Sequence, residues 1–253
     1  MPDLKDIYAH QADLYDELVA REDYQRNLIA AINRVRPVTG LDVVELGAGT
    51  GRLTCMLAPV AKSVAAFDVS PAMLAVAAAK LMATTGTTVA TAKATRAAKP
   101  SAAAKPQVSR VANWQLRVAD HGRLPLPDGV ADLALAGWSL CYAALDHPDR
   151  WRETLAQALG EMQRVLRIGG TCLIIETLGT GFETPHPPDA LKDYVNYLVE
   201  AGFHSEWIRT DYEFESLAEA ERLIQFFFGD ELAAQTVREQ WQILPECTGL
   251  WWK

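Results

Sequence analysis

Four residues at alternating positions carry the first readable chemistry: Glu45, Gly47, Gly49 and Gly51, inside Val43-Val44-Glu45-Leu46-Gly47-Ala48-Gly49-Thr50-Gly51-Arg52-Leu53. A short apolar run (41–46) enters the three glycines, and Leu53, Met56 and Leu57 follow at helical spacing. Strand, tight turn and helix form the unit that brings bare backbone against a nucleotide-like ligand. Glycine suits such a turn because a Cβ holds the ligand off and because the turn often needs positive φ. The spacing differs from the dinucleotide fingerprint G-x-G-x-x-G. A second strand, 63–67, then ends at Asp68, where a carboxylate can accept hydrogen bonds from both hydroxyls of a ribose.

The pattern Glu45-x-Gly47-x-Gly49-x-Gly51 resembles motif I of the class I S-adenosylmethionine-dependent methyltransferases. The resemblance implies that Gly47, Ala48, Gly49 and Gly51 pass under the methionine part of the cofactor. It also implies that Glu45 faces the cofactor's ammonium group, directly or through water. A sulfonium cofactor has no pyrophosphate, so the helix N-terminus need not cradle an anion. The run Phe67-Asp68-Val69-Ser70-Pro71-Ala72-Met73-Leu74 is similar to the family's second motif, which implies roles for Asp68, Val69, Ser70 and Met73. A third strand (114–118) ends in Ala119-Asp120-His121. By resemblance Asp120 accepts from the adenine amino group and His121 lies beside the ring, although a histidine there also suits a solvated loop. Leu124-Pro125-Leu126-Pro127-Asp128 resembles the family's turn before strand four, and residues 161–170 resemble its "e..RvLrpGG" signature.

These residues need a frame. Ser70 and Pro71 open a helix as N-cap and first helical residue, with Met73, Leu74, Ala77 and Leu81 on its apolar face. Asp132 opens a fourth strand (133–137) that runs into Trp138-Ser139-Leu140-Cys141-Tyr142. In the family this end faces the transferred methyl. Trp138 suits either that pocket, where a ring face attracts positive charge, or the core. A long helix is expected from His147 to Gly169-Gly170, with Trp151, Leu155, Leu159, Met162, Val165 and Leu166 on one face, before a buried strand at 171–176. The expected fold is α/β: a Rossmann-like, mostly parallel seven-stranded sheet with an antiparallel last strand. Residues 1–36 form an N-terminal helical cover and 37–253 the methyltransferase domain, with a lid-like helical insertion at 212–240 between strands six and seven.

Composition narrows the partners. The 253 residues are 49% apolar, ample for one large α/β domain. No apolar run approaches the length of a membrane span, and residues 1–8 lack a signal-peptide core. Cys55, Cys141, Cys172 and Cys247 stand far apart, so neither a zinc site nor a disulfide framework is expected. Cytoplasmic location and a monomer or homodimer follow as defaults. The net charge of -8 argues against general nucleic-acid binding. So does the fourth strand's end, which reads Ala136-Gly137-Trp138-Ser139 and lacks both the Asn/Asp-Pro-Pro-aromatic motif and a Pro-Cys nucleophile. Residues 84–110, rich in Ala, Thr, Lys, Pro and Ser, read as a flexible low-complexity insertion or a basic arm for an anionic partner.

Substrate choice falls to the ends of the chain. Residues 4–35 read as an amphipathic helix punctuated by Tyr8, His10, Tyr15 and Tyr24. Ser216 caps a further helix, with Glu219 as capping-box partner and Gly229 at its end. Three adjacent phenylalanines, Phe226, Phe227 and Phe228, cannot share one buried stripe, so one must face a second surface. No strong catalytic base stands out. His186, Tyr15 and Tyr212 are candidates by position, with His10, Glu183 and Asp211 behind them. The expected activity is methyl transfer to a small organic acceptor, with oxygen or nitrogen favoured over carbon. A non-catalytic cofactor-binding or assembly protein is the alternative, and a dinucleotide-dependent oxidoreductase is disfavoured by the glycine spacing.

Overall fold

A computed structural model of the chain describes residues 4–85, 112–146 and 149–253. The sequence-expected insertion at 84–110 lies outside them, apart from Thr84 and Thr85, which end a helix.

Five parallel strands build the centre: β1 (Asp42–Leu46), β2 (Ser63–Asp68), β3 (Trp114–Val118), β4 (Ala131–Gly137) and β5 (Leu166–Thr180). β6 (His204–Arg209) and the last long strand, β9 (Glu246–Trp252), complete the sheet, whose order is β3-β2-β1-β4-β5-β9-β6. β9 runs antiparallel to both of its neighbours, so the expected seven-stranded, mostly parallel sheet is present. A small ribbon of β7 (Tyr212–Glu213) and β8 (Ile243–Leu244) brackets the insertion of α9 (Leu217–Phe228) and α10 (Asp230–Glu239).

Helices cover both faces, as a buried parallel sheet requires. On one face α3 (Asn27–Val35), α4 (Arg52–Leu57) and α5 (Pro71–Thr85) bury Leu28, Ile32, Leu57 and Leu81 against Leu133, Leu135 and Ile175. On the other, α7 (Trp151–Val165) and α8 (Lys192–Glu200) set Leu155, Met162, Tyr194 and Leu198 against Ala134, Ala136 and Ile174. A third cluster joins Leu18, Leu223, Ile224 and Leu244, tying the N-terminal region to the insertion. Among the described residues no helix is long and apolar enough to cross a membrane.

Two elements differ from expectation. Residues 4–35 form three helices, α1 (Leu4–His10), α2 (Ala12–Val19) and α3, rather than one. Gln11 leaves the helical region, and Asp23 and Arg26 take positive φ (61° and 59°). The Asp23 carboxylate accepts from Asn27 N (2.8 Å) and Leu28 N (3.1 Å), capping α3, while Asp23 N donates to Asp211 O (2.9 Å). The second difference is the helix expected to run from His147 to the glycines. It begins at Trp151, after Arg150, and stops at Val165. Its last carbonyls accept from Gly129 N and Val130 N, and Leu166 already pairs with Ala131, so strand pairing overrides the helical pattern.

Candidate functional site

The glycine loop and Asp68 assemble at the carboxyl ends of β1 and β2. Gly47, Gly49 and Gly51 all have positive φ (69°, 53° and 78°). Their reasons for lacking a side chain differ. A Cβ on Gly47 would sit 2.2 Å from Ser139 Cβ, and one on Gly51 would sit 2.8 Å from Ala77 Cβ. A Cβ on Gly49 would meet no atom of the described residues within 4 Å, so its direction opens into free space. The Asp68 carboxylate accepts from Gly49 N and from Ser70 N, both at 2.8 Å, and so fixes the loop. Ser70 caps α5, with Met73 N donating to its Oγ at 3.3 Å. Met73 itself is buried, whereas the Val69 side chain is exposed.

Glu45 lies beneath this loop, 1% exposed, and accepts from Thr54 Oγ1 at 2.5 Å. Burial, reinforced by Asp68, pushes its carboxyl up to about 8. His121 sits above Gly47, whose Cβ would lie 3.1 Å from Nε2, and burial lowers the imidazole's pKa. Asp120 accepts from Gly122 N at 2.8 Å, which shapes the turn after β3. Trp138, at the end of β4, adopts φ 48°, and its ring carries the Arg52 guanidinium at 4.6 Å.

α1 and α2 cover the loop with tyrosines. Tyr8 O accepts from Ser70 Oγ (2.7 Å), and the Tyr8 and Tyr142 hydroxyls are hydrogen-bonded. Tyr15 contacts Tyr8 edge-on and Phe227 at a tilt, each with centroids 5.4 Å apart. Phe227 is therefore the phenylalanine that meets a second surface, and Phe228 meets Tyr212 edge-on at 6.1 Å. The Ser216–Glu219 cap forms, with Glu219 N donating to Ser216 Oγ at 3.1 Å.

Of the candidate bases, the structure brings Tyr15 and Tyr212 to this region. Burial raises both phenols well above their usual range, which disfavours the phenolate a base would need, and the Tyr212 hydroxyl donates to Glu22. His186 is exposed and stacked on Phe182 at 4.2 Å. His10 is exposed beside Asp6, Glu183 is exposed, and Asp211 is held by Arg209 at 2.7 and 2.9 Å.

Sequence reasoning missed a buried polar cluster beside the loop. Arg52 Nη1 donates to Glu22 Oε2 at 2.5 Å, and the Tyr212 hydroxyl donates to the same oxygen at 3.2 Å. Thr177 Oγ1 donates to Glu246 Oε1 at 2.7 Å, and the Thr210 and Thr248 hydroxyls meet at 2.5 Å. Burial raises Glu22 against the pull of Arg52; burial, with Glu22 adding, pushes Glu246 up to about 8. One signal was available: Glu246 opens a buried strand that carries no other charged residue.

A family model described as "Methyltransferase domain" matches residues 44–174, just over half of the chain. No curated protein matches it in sequence. Among solved structures it is similar to a putative methyltransferase from Bacillus halodurans (16% identity, 88% of this chain and 96% of that one, TM-score 0.51). It is also similar to an S-adenosylmethionine-dependent methyltransferase from Aquifex aeolicus (14% identity, 98% and 92%, TM-score 0.51). The YcgJ protein of a Bacillus matches at 12% identity over 90% of this chain and 97% of that one, with TM-score 0.51.

Proposed function

The chain belongs to the methyltransferase-domain family and is an S-adenosylmethionine-dependent enzyme, and from that premise we propose that it methylates a small organic acceptor at oxygen or nitrogen, in the cytoplasm, as a monomer or homodimer. The bound cofactor supplies an electrophilic methyl on a sulfonium. The observation that carries the assignment of its site is Gly49, whose missing Cβ points into space that no atom of the described residues fills while its amide is pinned to Asp68.

In this reading Gly47, Ala48, Gly49 and Gly51 present backbone to the methionine portion and Glu45 lies on its ammonium side. Asp68, with Val69, Ser70 and Met73 behind it, holds the ribose, since a carboxylate carrying two amide donors retains lone pairs for hydroxyls. Asp120 and His121 border the adenine, and Trp138 borders the reacting end. Tyr8, Tyr15 and Tyr142 exclude water. The weak supply of bases is compatible with the chemistry, because methyl transfer from a sulfonium is favourable and orientation supplies much of the rate. Calorimetry with S-adenosylmethionine, S-adenosylhomocysteine and NAD tests the site: the first two bind and NAD does not. Release of S-adenosylhomocysteine across small amines, phenols and carboxylates then tests the acceptor class. Absence of binding by either sulfur compound refutes the site assignment.

A further inference from the structure

The buried cluster beside the glycine loop has more hydrogen-bonding capacity than its own contacts use. Glu22 is 8% exposed and Glu246 2%. Arg52 is the single guanidinium bonded within it, engaged through Nη1 to Glu22 and through its face to Trp138. The Glu246 side chain is bonded by the Thr177 hydroxyl rather than by a cation. Three atoms here lack a well-formed hydrogen bond among the described residues: Glu22 Oε1, Arg52 Nη2 and Glu246 Oε2. Besides Thr177, the Thr180 hydroxyl favours the ionised Glu246 carboxyl, yet Oε2 gains no well-formed hydrogen bond from it. Each unmet buried group is costly, and removing a charge from water is costlier still unless it is paired.

The complement of this arrangement is specific. It donates to two carboxyl oxygens, carries a positive charge that would ionise Glu246, which burial otherwise keeps protonated, and offers an acceptor to Arg52 Nη2. An ammonium group with a hydroxyl or carbonyl close by meets all three conditions. An anionic acceptor is disfavoured by the same two carboxylates. We propose that Glu22, Arg52 and Glu246 form the acceptor-recognition site and take the ammonium group of a small amino compound. The proposal rests on the methyl-transfer reading and narrows its substrate class.

The test uses the full chain saturated with S-adenosylhomocysteine, and two matched probe series read by calorimetry. One series is benzylammonium, benzyl alcohol and benzoate; the other is ethanolammonium, ethylene glycol and glycolate. At least one ammonium is expected to bind tenfold or more tightly than its neutral and anionic counterparts. Glu246→Gln should cut that preference to below about threefold while S-adenosylhomocysteine affinity stays within about twofold. If neither ammonium outbinds its counterparts, or if Glu246→Gln leaves the preference intact, the proposal is overturned. Should Glu246→Gln fail to fold, the wild-type comparison decides alone. A crystal structure with ordered waters on Glu22 Oε1 and Glu246 Oε2, unmoved by either ammonium, also overturns it. Failure to bind S-adenosylhomocysteine sinks the cofactor reading; binding it without discriminating among the probes sinks this inference only.

Discussion

Binding S-adenosylhomocysteine at pH 6.5 should expel about one proton, and Glu45 should be its source. In the free chain burial pushes the Glu45 carboxyl up to about 8. At pH 6.5 such a group is ionised in only about 3% of molecules, and ionising it costs roughly 2 kcal/mol at about 1.36 kcal/mol per unit. An incoming ammonium repels the proton and pairs with the carboxylate left behind. The affinity should therefore be roughly 30-fold weaker at pH 6.5 than for a fully ionised Glu45. The ligand's own α-amino group is that of a free amino acid and titrates above the peptide N-terminal range of about 7.7–8.0, so the release fades as pH passes 8 and the sign reverses once that group is itself deprotonated. Calorimetry in two buffers of different ionisation enthalpy counts the protons at each pH. Glu45→Gln should abolish the release at pH 6.5. A buffer-independent enthalpy at pH 6.5, or release that survives in Glu45→Gln, refutes the placement of Glu45 on the ammonium side.

Four other outcomes follow. Gly49→Ala should cost the fold about 1–2 kcal/mol, for its left-handed backbone alone, yet lose S-adenosylhomocysteine affinity tenfold or more. Gly47→Ala should cost about 3 kcal/mol or more, because its Cβ lands on Ser139; thermal unfolding and calorimetry separate the two, and equal unfolding losses count against the loop geometry. Asp68→Ala should weaken binding by about 1.5–3 kcal/mol and speed hydrogen exchange at the Gly49 and Ser70 amides, an exchange rate unchanged there being the contrary result. The ligand-free chain should lose stability as pH rises from 5 to 8.5. Burial pushes Glu45 and Glu246 up to about 8 and Glu176 up to about 7. The folded chain thus holds protons that unfolded carboxyls release near pH 4.5, and that advantage fades as pH passes through 7 and 8. His121, lowered by burial, opposes this near pH 6.5 but is one group against three. A melting temperature that climbs over that range counts against the buried acids.

What the sequence made legible was local. Glu45, the three glycines, Asp68 and Ser70 lie within 26 residues, and their spacing alone sets strand, turn and cap. Leu166 to Gly170 misled because a helical apolar stripe runs smoothly into Leu166, while the pairing with Ala131 that makes it a strand is invisible along the chain. The break after α2 was hidden for the same reason: Asp23 turns because it can bond to Asp211, nearly two hundred residues away. Glu22, Arg52 and Glu246 come from three distant segments and could not be joined by spacing. Trp138 was open between core and pocket, and its left-handed backbone and cationic neighbour explain why neither label alone describes it.

The strand order has a consequence for how the chain is made. β9 lies between β5 and β6, although both are synthesised before it. When β6 leaves the ribosome it has no partner, and β5 presents an open edge bearing Leu173 and Ile175. That edge stays bare until α9, α10 and finally β9 have emerged. An unpaired apolar strand is a template for pairing with other chains, and non-local strand insertion is slow. The half of the sheet bearing the glycine loop, β3-β2-β1-β4, does not wait on later sequence and can assemble first. Nascent chains stalled after β6 should therefore protect the glycine loop from proteolysis while remaining prone to aggregate through β5.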